Sequence, residues 1–498
     1  MTCLSQFLQG ADAIAKQAIR VVKWRALLAC STLLCLATIA SANEPGIQQL
    51  FSFPCPSQQF GNCLLGYAPN VLIQASDGDF YGAAQLTTEG TSNPQGGTLF
   101  KITPDGRFTL LFTFAPDKNG NYLDGNNPAT SLVEANDGFL YGTTFEGGTT
   151  NSGVLFRIEK NGKNFQVLHN FCSAPNCADG SGAALILGHD GLLYGTTGLG
   201  GESGFGTIFR FTPPSTLDTL LAVNGTTQGA FPGGLVQGAD GNFYGTAALQ
   251  VFRFTPDGEF TILTSFPEVD GFLPSSGDSG LVQASNGKLY GALSTYSLDQ
   301  IQFYEINPSG SGFGEFPSLG TLAVDFTISS PIQASDGNLW TAFTDIGEPN
   351  GAVVAFSPVT GAVVQNFEFD GANGQTPEAS VVQAADGKLY GTARLGGVVK
   401  GGQSPSGTVW VLDAGLPAPA AQVAALSPRS GVIGSKVLIR GSHFIGTKEV
   451  TFNGIRAGFT VLNTQFISAT VPEGASSGPI AVTNERGTTV STKQFIVQ

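Results

Sequence analysis

Residues 383–397 read QAADGKLYGTARLGG. Taken alone, the stretch admits two chemical readings, an aspartate acid beside a strand or a glycine-rich loop for a phosphate. Comparison with the rest of the chain removes both. The stretch recurs as LIQASDGDFYGAA from Leu72, LVEANDGFLYGTT from Leu132, LILGHDGLLYGTT from Leu185, LVQGADGNFYGTA from Leu235, LVQASNGKLYGAL from Leu281 and PIQASDGNLWTAF from Pro331. With VVQAADGKLYGTA from Val381 there are seven units. Their turn residues Asp77, Asp137, Asp190, Asp240, Asn286, Asp336 and Asp386 lie 60, 53, 50, 46, 50 and 50 residues apart. A repeat of that period is one supersecondary unit that can bury its apolar face only against its neighbours.

Each unit reads as four short strands. The LVQA-type run is the first, and Asp-Gly or Asn-Gly suggests a type I′ hairpin turn into the LYGT strand. A long Gly-rich loop leads to the third strand, as in GTLFKIT at Gly97, GTIFRFT at Gly206 and GTVWVLD at Gly407. A second tight turn then leads to a fourth strand such as FTLLFTF or VVQNFEF. The seventh unit stops after its third strand, while an unmatched fourth strand, IQQLFSF, stands at residues 47–53. Both remainders are explained if the N-terminal strand completes the last sheet. The expected fold is therefore all-β: a seven-bladed β-propeller closed by the N-terminal strand, with few free edges. The meander puts both sets of long connections on one face, which is where a ligand is expected.

The first 42 residues read as a secretion signal rather than part of a domain. Lys16, Arg20, Lys23 and Arg25 precede the apolar run ALLACSTLLCLATIA and the small residues Ala40-Ser41-Ala42. That run is shorter than the roughly 20 residues a bilayer span needs. Leu27-Leu28-Ala29-Cys30 looks like a lipidation site but follows Arg25 too closely. Without the leader the chain carries 19 basic against 36 acidic side chains, a formal charge of −17. Such a surface repels phosphate backbones and anionic headgroups, so no nucleic acid and no membrane insertion after cleavage is expected. The expected protein is an exported monomer at the cell surface, in the periplasm or outside the cell.

Seven cysteines leave four after the signal, in two local pairs, Cys55/Cys63 and Cys172/Cys177. An even number in an exported chain points to disulfides. Zinc is the alternative, but neither pair has a nearby His or second pair to complete four ligands. The expected domains are 1–42 signal, 43–415 propeller, 416–422 Pro/Ala linker, and 423–498 a small β-sandwich with alternating strands and Gly/Pro turns.

Two resemblances follow from these residues. The DGxLYGT core, the Gly-Gly loops (Gly147-Gly148, Gly200-Gly201, Gly396-Gly397), the GTxFK/R strands and the LHNF-type strand at Leu168 to Phe171 resemble the bacterial GloVer tandem repeats of exported "choice-of-anchor" proteins. Unit five, TYSLDQIQFYEINPSG, departs most from that pattern. Pro428, Gly431, Gly434, Val437, Ile439, Gly441 and Phe444, followed by Val450, Phe452, Asn453 and Gly454, resemble the IPT/TIG immunoglobulin-like domains. The first resemblance implies a secreted or surface protein without an established activity. The second implies a spacer or interaction module.

Catalytic parts are scarce. His169, His189 and His443 fall on different elements, which leaves no His-based triad or His-rich metal site. Exported lyases similar to the streptogramin lyases use comparable repeats but depend on a His with no counterpart here. Gly474 to Gly478 fits G-x-S-x-G without the strand–turn–helix setting a nucleophile elbow needs. Residues 117–124, DKNGNYLD, alternate oxygen ligands but lack an EF-hand's Gly position and final Glu, so no cofactor is expected, with Ca²⁺ a weak alternative to a polar turn. The candidate ligand residues are loop aromatics beside acids and amides, Phe60, Tyr67, Asp117, Tyr122, Asp124, Phe145 and Phe205. Sugar stacking and plugging of each loop's own small core are the competing roles. The expected function is non-catalytic binding of a glycan or extracellular protein. Alternatives are a polysaccharide hydrolase or lyase using Asp117, Asp124, Glu146 or Glu202, whose carboxylates would need to pair at about 5 to 10 Å, and a structural envelope protein.

Overall fold

The computed structural model describes residues 46–55, 63, 65–85, 96–128, 131–226, 228–248, 250–266, 280–295, 300–316, 326–345, 348–399 and 404–498. The expected signal and Phe60 lie outside them. The described chain is all-β, with seven antiparallel sheets over residues 47–412 and two more in the C-terminal domain. Each of the seven holds the strands of one repeat unit. The exception is the last, whose strands Val382–Gln383, Leu389–Ala393 and Ser404–Leu412 are joined by the N-terminal strand Ile47–Cys55. That strand pairs antiparallel with Ser404–Leu412, Ile47 facing Leu412 and Gln49 facing Trp410. Its Phe53 is fully buried and meets Phe100 and Phe108 of unit one edge-on, at centroid distances of 5.3 and 5.6 Å.

The glycine of LYGT has a packing reason. Gly82 faces Phe100 across the ladder, and a Cβ there would lie 2.7 Å from the ring. Gly142 faces Phe156, Gly195 Phe209, Gly245 Phe252, Gly291 Tyr304 and Gly391 Trp410 in the same way. Unit six reverses both partners together, with Thr341 in the glycine's place opposite Val354. A large ring in strand three thus fills the space a side chain in strand two would need, one device for keeping each sheet at interior density.

The Asp-Gly turns correct the type I′ expectation. Among these turns only the glycine has positive φ, 82–90°, and none of the seven Asp or Asn residues does. In unit one Gly78 N–H donates to Ala75 O at 2.8 Å and Ala75 N–H to Asp79 O at 2.9 Å, which is a three-residue loop with a glycine bulge. Aspartate is preferred for its side chain. Its Oδ1 accepts the N–H two residues on, as in Asp240 from Asn242 at 3.1 Å. Its Oδ2 accepts the phenol four residues on, at 2.7, 2.8, 2.8, 2.6 and 2.9 Å from Tyr81, Tyr141, Tyr194, Tyr244 and Tyr390. Burial first, and then the neighbouring carboxylate, pushes these phenols above their usual range. Asp386 is therefore a latch between turn and strand.

The glutamine of LVQA joins neighbouring units. Gln237, Gln283, Gln333 and Gln383 each accept the backbone N–H of the residue before the turn Asp or Asn in the preceding unit, from His189, Ala239, Ser285 and Ser335 at 2.6–2.8 Å. Glu134 does the same for Ser76 at 2.7 Å and is neutralised by Lys160 Nζ at 2.7 Å. Gln74 of unit one accepts from Ala385 of unit seven at 2.9 Å, tying the last unit to the first. Only the junction of units two and three lacks the bond, because unit three has Leu187 where the others have Gln or Glu.

The C-terminal domain docks at that junction. It is a two-sheet, Ig-like sandwich around Val437, Ile439, Phe444, Val450, Phe452, Ile467, Val482 and Phe495. Its Phe466 is buried in one cluster with Leu185, Leu187 and Leu193 of unit three, and Leu438 and Leu462 pack beside it. Asn463 Nδ2 donates to Glu134 O at 3.2 Å and to Asn136 Oδ1 at 2.9 Å of unit two. The segment joining the domain also lies against the sheets, with Pro417 O accepting from Ser335 Oγ at 2.5 Å and Gln383 Nε2 at 3.3 Å.

Cys55 is bonded to Cys63 and Cys172 to Cys177, as expected from their local pairing. Two disulfides place folding in an oxidising, exported setting. Among the described residues no helix is long and apolar enough to cross a membrane.

Candidate functional site

The end of each hairpin remote from its Asp-Gly turn is where strand one begins and strand two ends. The residues immediately before the seven LVQA-type runs are Val71, Ser131, Ala184, Gly234, Gly280, Ser330 and Ser380. All seven line one cavity of about 600 Å³. That volume lies within the range of ligand pockets, about 300–1,000 Å³. Six of the seven are Ser, Ala or Gly, so the wall is made of small side chains and backbone. This was legible as a small residue preceding each run, but nothing local says that seven such positions, about 50 residues apart, converge.

A second repeat position supplies the variety. The residue one step beyond the LYGT(A/T) strand is Gln85, Phe145, Gly198, Ala248, Ser294, Thr344 and Arg394 in units one to seven. Gln85, Phe145, Gly198 and Arg394 line the cavity. The units therefore share a scaffold and differ where they meet the cavity.

The cavity has two unlike sides. Units two to four contribute Phe145, Gly182, Gly198, Phe231 and Gly233. Phe145 is 48% exposed and Phe231 42%. Phe205 stands edge-on to Phe231 at 6.1 Å. Units seven and one contribute Glu378, Arg394, Asn70 and Gln85. Arg394 Nη1 lies 3.4 and 3.5 Å from the two Glu378 oxygens, a long pair with both side chains partly exposed.

Of the residues singled out from sequence, Phe145 lines this cavity and Phe205 reaches it through Phe231. Tyr67 is in the strand Tyr67–Pro69, whose Ala68 and Pro69 line the cavity while Tyr67 does not. Asp117, Tyr122 and Asp124 sit apart on the connection after unit one. Asp117 Oδ1 accepts the N–H groups of Asn119 and Asn121 at 2.8 and 2.9 Å, which hold its carboxyl below the usual range, with the Asn121 N–H the larger effect. Burial raises the Tyr122 phenol. Glu146 Oε2 accepts Asn126 Nδ2 at 3.1 Å, pinning two loops together. Asp117, Asp124, Glu146 and Glu202 are not among the lining residues, and Glu378 is the one carboxylate among the described residues that line the cavity. His169 Nε2 is 2.9 Å from Asp179 Oδ2, whose carboxylate also binds Ser173 and Ala174 within the 172–177 disulfide loop. Arg394, where the opening stretch passes from strand into loop, is the member of that stretch that meets the cavity.

A second cavity of about 320 Å³ lies toward the Asp-Gly turns. It is lined by first-strand residues of units one, two, three and seven and by residues 463–465 of the C-terminal domain, and it shares Ser131 with the first.

Among curated proteins no relative matches the chain. Among solved structures it is similar to a fungal alcohol oxidase of the AA5 family in complex with copper, at 12% identity over 87% of this chain and 98% of that one, TM-score 0.47. It is similar to an extracellular domain assigned to a hybrid two component system of Bacteroides thetaiotaomicron, at 13% identity over 91% and 58%, TM-score 0.48. An oligogalacturonate lyase from Vibrio parahaemolyticus matches at 11% identity over 75% and 94%, TM-score 0.45. Likenesses this distant bear on neither activity nor ligand. Models of two families match the sequence itself: the chain carries the Gloeobacter/Verrucomicrobia repeat over residues 68–298 and an IPT/TIG domain over residues 421–497.

Proposed function

We propose that the seven sheets form a closed seven-bladed propeller and that the protein is an exported, non-catalytic binding protein, secreted or held at the cell surface, that takes a glycan on the long-connection face. The observation that carries this reading is the single cavity to which all seven units contribute an equivalent residue. Its wall of small residues, exposed Phe145 and Phe231, and flanking amides suits sugar rings, which present apolar faces and hydroxyl edges. The Gln74–Ala385 bond and the pairing of Ile47–Cys55 with the last unit support closure.

The test is a glycan-array and polysaccharide-depolymerisation screen on residues 43–498. Binding without product release, weakened several-fold by Phe145→Ala, is the expected result. Release of oligosaccharide products makes the protein an enzyme instead. An extracellular protein captured in place of any glycan leaves a binding protein but changes the ligand class.

A further inference from the structure

We propose that the end of the C-terminal domain remote from its contact with unit three docks on an anionic lipid surface. Summed over the chain, charge disfavours such a surface, but the charge is not evenly spread. Residues 43–422 carry 12 basic and 33 acidic side chains, a formal −21, whereas residues 423–498 carry 7 and 3, a formal +4. A split of this kind lets one domain meet an anionic partner that the other repels.

The strand Lys436–Ser442 shows which end is free. Arg440 pairs with Phe466, which is buried against unit three, and Lys436 pairs with Thr470, about 13 Å further along the strand. That exceeds the roughly 8 Å over which charge is screened at physiological salt, so the acidic repeat region does not cancel attraction at this end. Beyond Lys436 the loop 431–434 presents Val432 and Ile433, 54% and 51% exposed, and Ile496 stands beside Ser430 in the neighbouring strand, 47% exposed. Gly434 N–H donates to Val471 O at 2.9 Å and Ser435 Oγ to Val432 O at 2.7 Å, so the aliphatic side chains project from a fixed backbone. Arg429, Lys436 and Lys493 flank them, all exposed. Glu449 is taken by Arg456 and Glu485 by Lys448, which leaves Glu473 as the domain's one acid without a cation.

An aliphatic tip flanked by cations fits the boundary between headgroups and acyl chains, with the cations on the phosphates and the apolar side chains below them. A soluble polyanion would use the cations and leave Val432 and Ile433 in water. Exposed aliphatics alone do not make such a site. Val363 and Val364 of unit six are 44% and 49% exposed, but residues 289–387 contain no Lys or Arg.

Co-sedimentation of residues 43–498 with vesicles of phosphatidylcholine alone, and of equimolar phosphatidylcholine and phosphatidylglycerol, tests the assignment. The mixed vesicles should bind at least about tenfold more tightly, which three cations near an anionic surface supply, and the gain should shrink as salt is raised. Arg429→Glu with Lys436→Glu should remove the preference, and Val432→Ser with Ile433→Ser should weaken binding to the mixed vesicles several-fold. All four side chains are exposed, so both double variants should keep the parent's urea unfolding midpoint. Equal binding to the two vesicles, or none to either, overturns the proposal, as does an unchanged preference in the charge-reversed variant. Mixed-vesicle binding that ignores the serine substitutions and is matched by soluble polyphosphate overturns it in favour of a polyanion site. The glycan reading stands or falls separately, because no residue of 423–498 lines the larger cavity.

Discussion

Phe53 is the side chain on which closure can be tested most sharply. It belongs to the N-terminal strand, yet its ring is buried between that strand's sheet and unit one, against Phe100 and Phe108, with no solvent exposure. Phe53→Ala removes a fully buried ring and leaves a cavity lined by rings that pack on both sides, so collapse cannot fill it. Changes of this kind cost about 3–5 kcal/mol, and edge-on aromatic contacts put this site toward the upper part of that range. Against a domain stability of roughly 5–15 kcal/mol the loss is large. Phe53→Leu keeps most of the volume and should cost less than half as much. Urea unfolding of residues 43–498 followed by tryptophan fluorescence is well placed to read this. In residues 43–498 the tryptophans are Trp340 and Trp410, both buried, and Trp410 faces Gln49 across the ladder. Hydrogen exchange at 47–53 supplies the local readout. If Phe53→Ala costs under about 1 kcal/mol and those amides exchange freely in the parent protein, the strand is not part of the last sheet and the closure argument is wrong.

Further outcomes follow from the same contacts. Leu187→Gln should loosen the C-terminal domain, costing about 2–3 kcal/mol of buried apolar contact with Phe466, and raise hydrogen exchange at 462–466; unchanged protection there would refute the docking account. Tyr244→Phe, which removes the phenol from Asp240, should cost about 1–2 kcal/mol in urea unfolding and leave glycan binding untouched; loss of binding would mean the turn face takes part in recognition. Burial first, and then Arg440, lowers the His189 imidazole to about 4, against the partial opposition of Asp190 and Asp240. Because the unfolded chain takes up the proton at higher pH, the stability this neutral His contributes is complete above about pH 6.5 and is lost as pH falls toward 4. His189→Gln should flatten the unfolding midpoint over that interval, and an unchanged pH profile would refute the assignment.

Much of the fold was open to sequence reasoning, because it rests on local rules repeated seven times. The four-strand unit, the spare strand at 47–53, the local cysteine pairs and the IPT/TIG pattern all appear in short windows. The turn departs from the expected type because Asp-Gly suits two hairpin geometries, and here the Asp keeps negative φ while only the Gly takes positive φ. The binding candidates fared differently. Acids and aromatics on long loops were conspicuous, but Asp117 and Glu146 turn out to hold their own loops together. Arg394 and the small residues before each LVQA run drew little notice, since neither type is distinctive in isolation.

The sequence by itself determined the repeat, the all-β class, the disulfide pairs and the chain's division into repeat region and C-terminal domain. Each of these depends on neighbours within a few residues or on periodicity. Tertiary structure alone decided that Gln74 of unit one meets Ala385 of unit seven, that Leu187 marks the place where the C-terminal domain docks, and that seven equivalent residues, six of them small, share one cavity. Those are contacts between units, set by how one sheet packs on the next, and their partners stand about 50 to more than 300 residues apart in the chain.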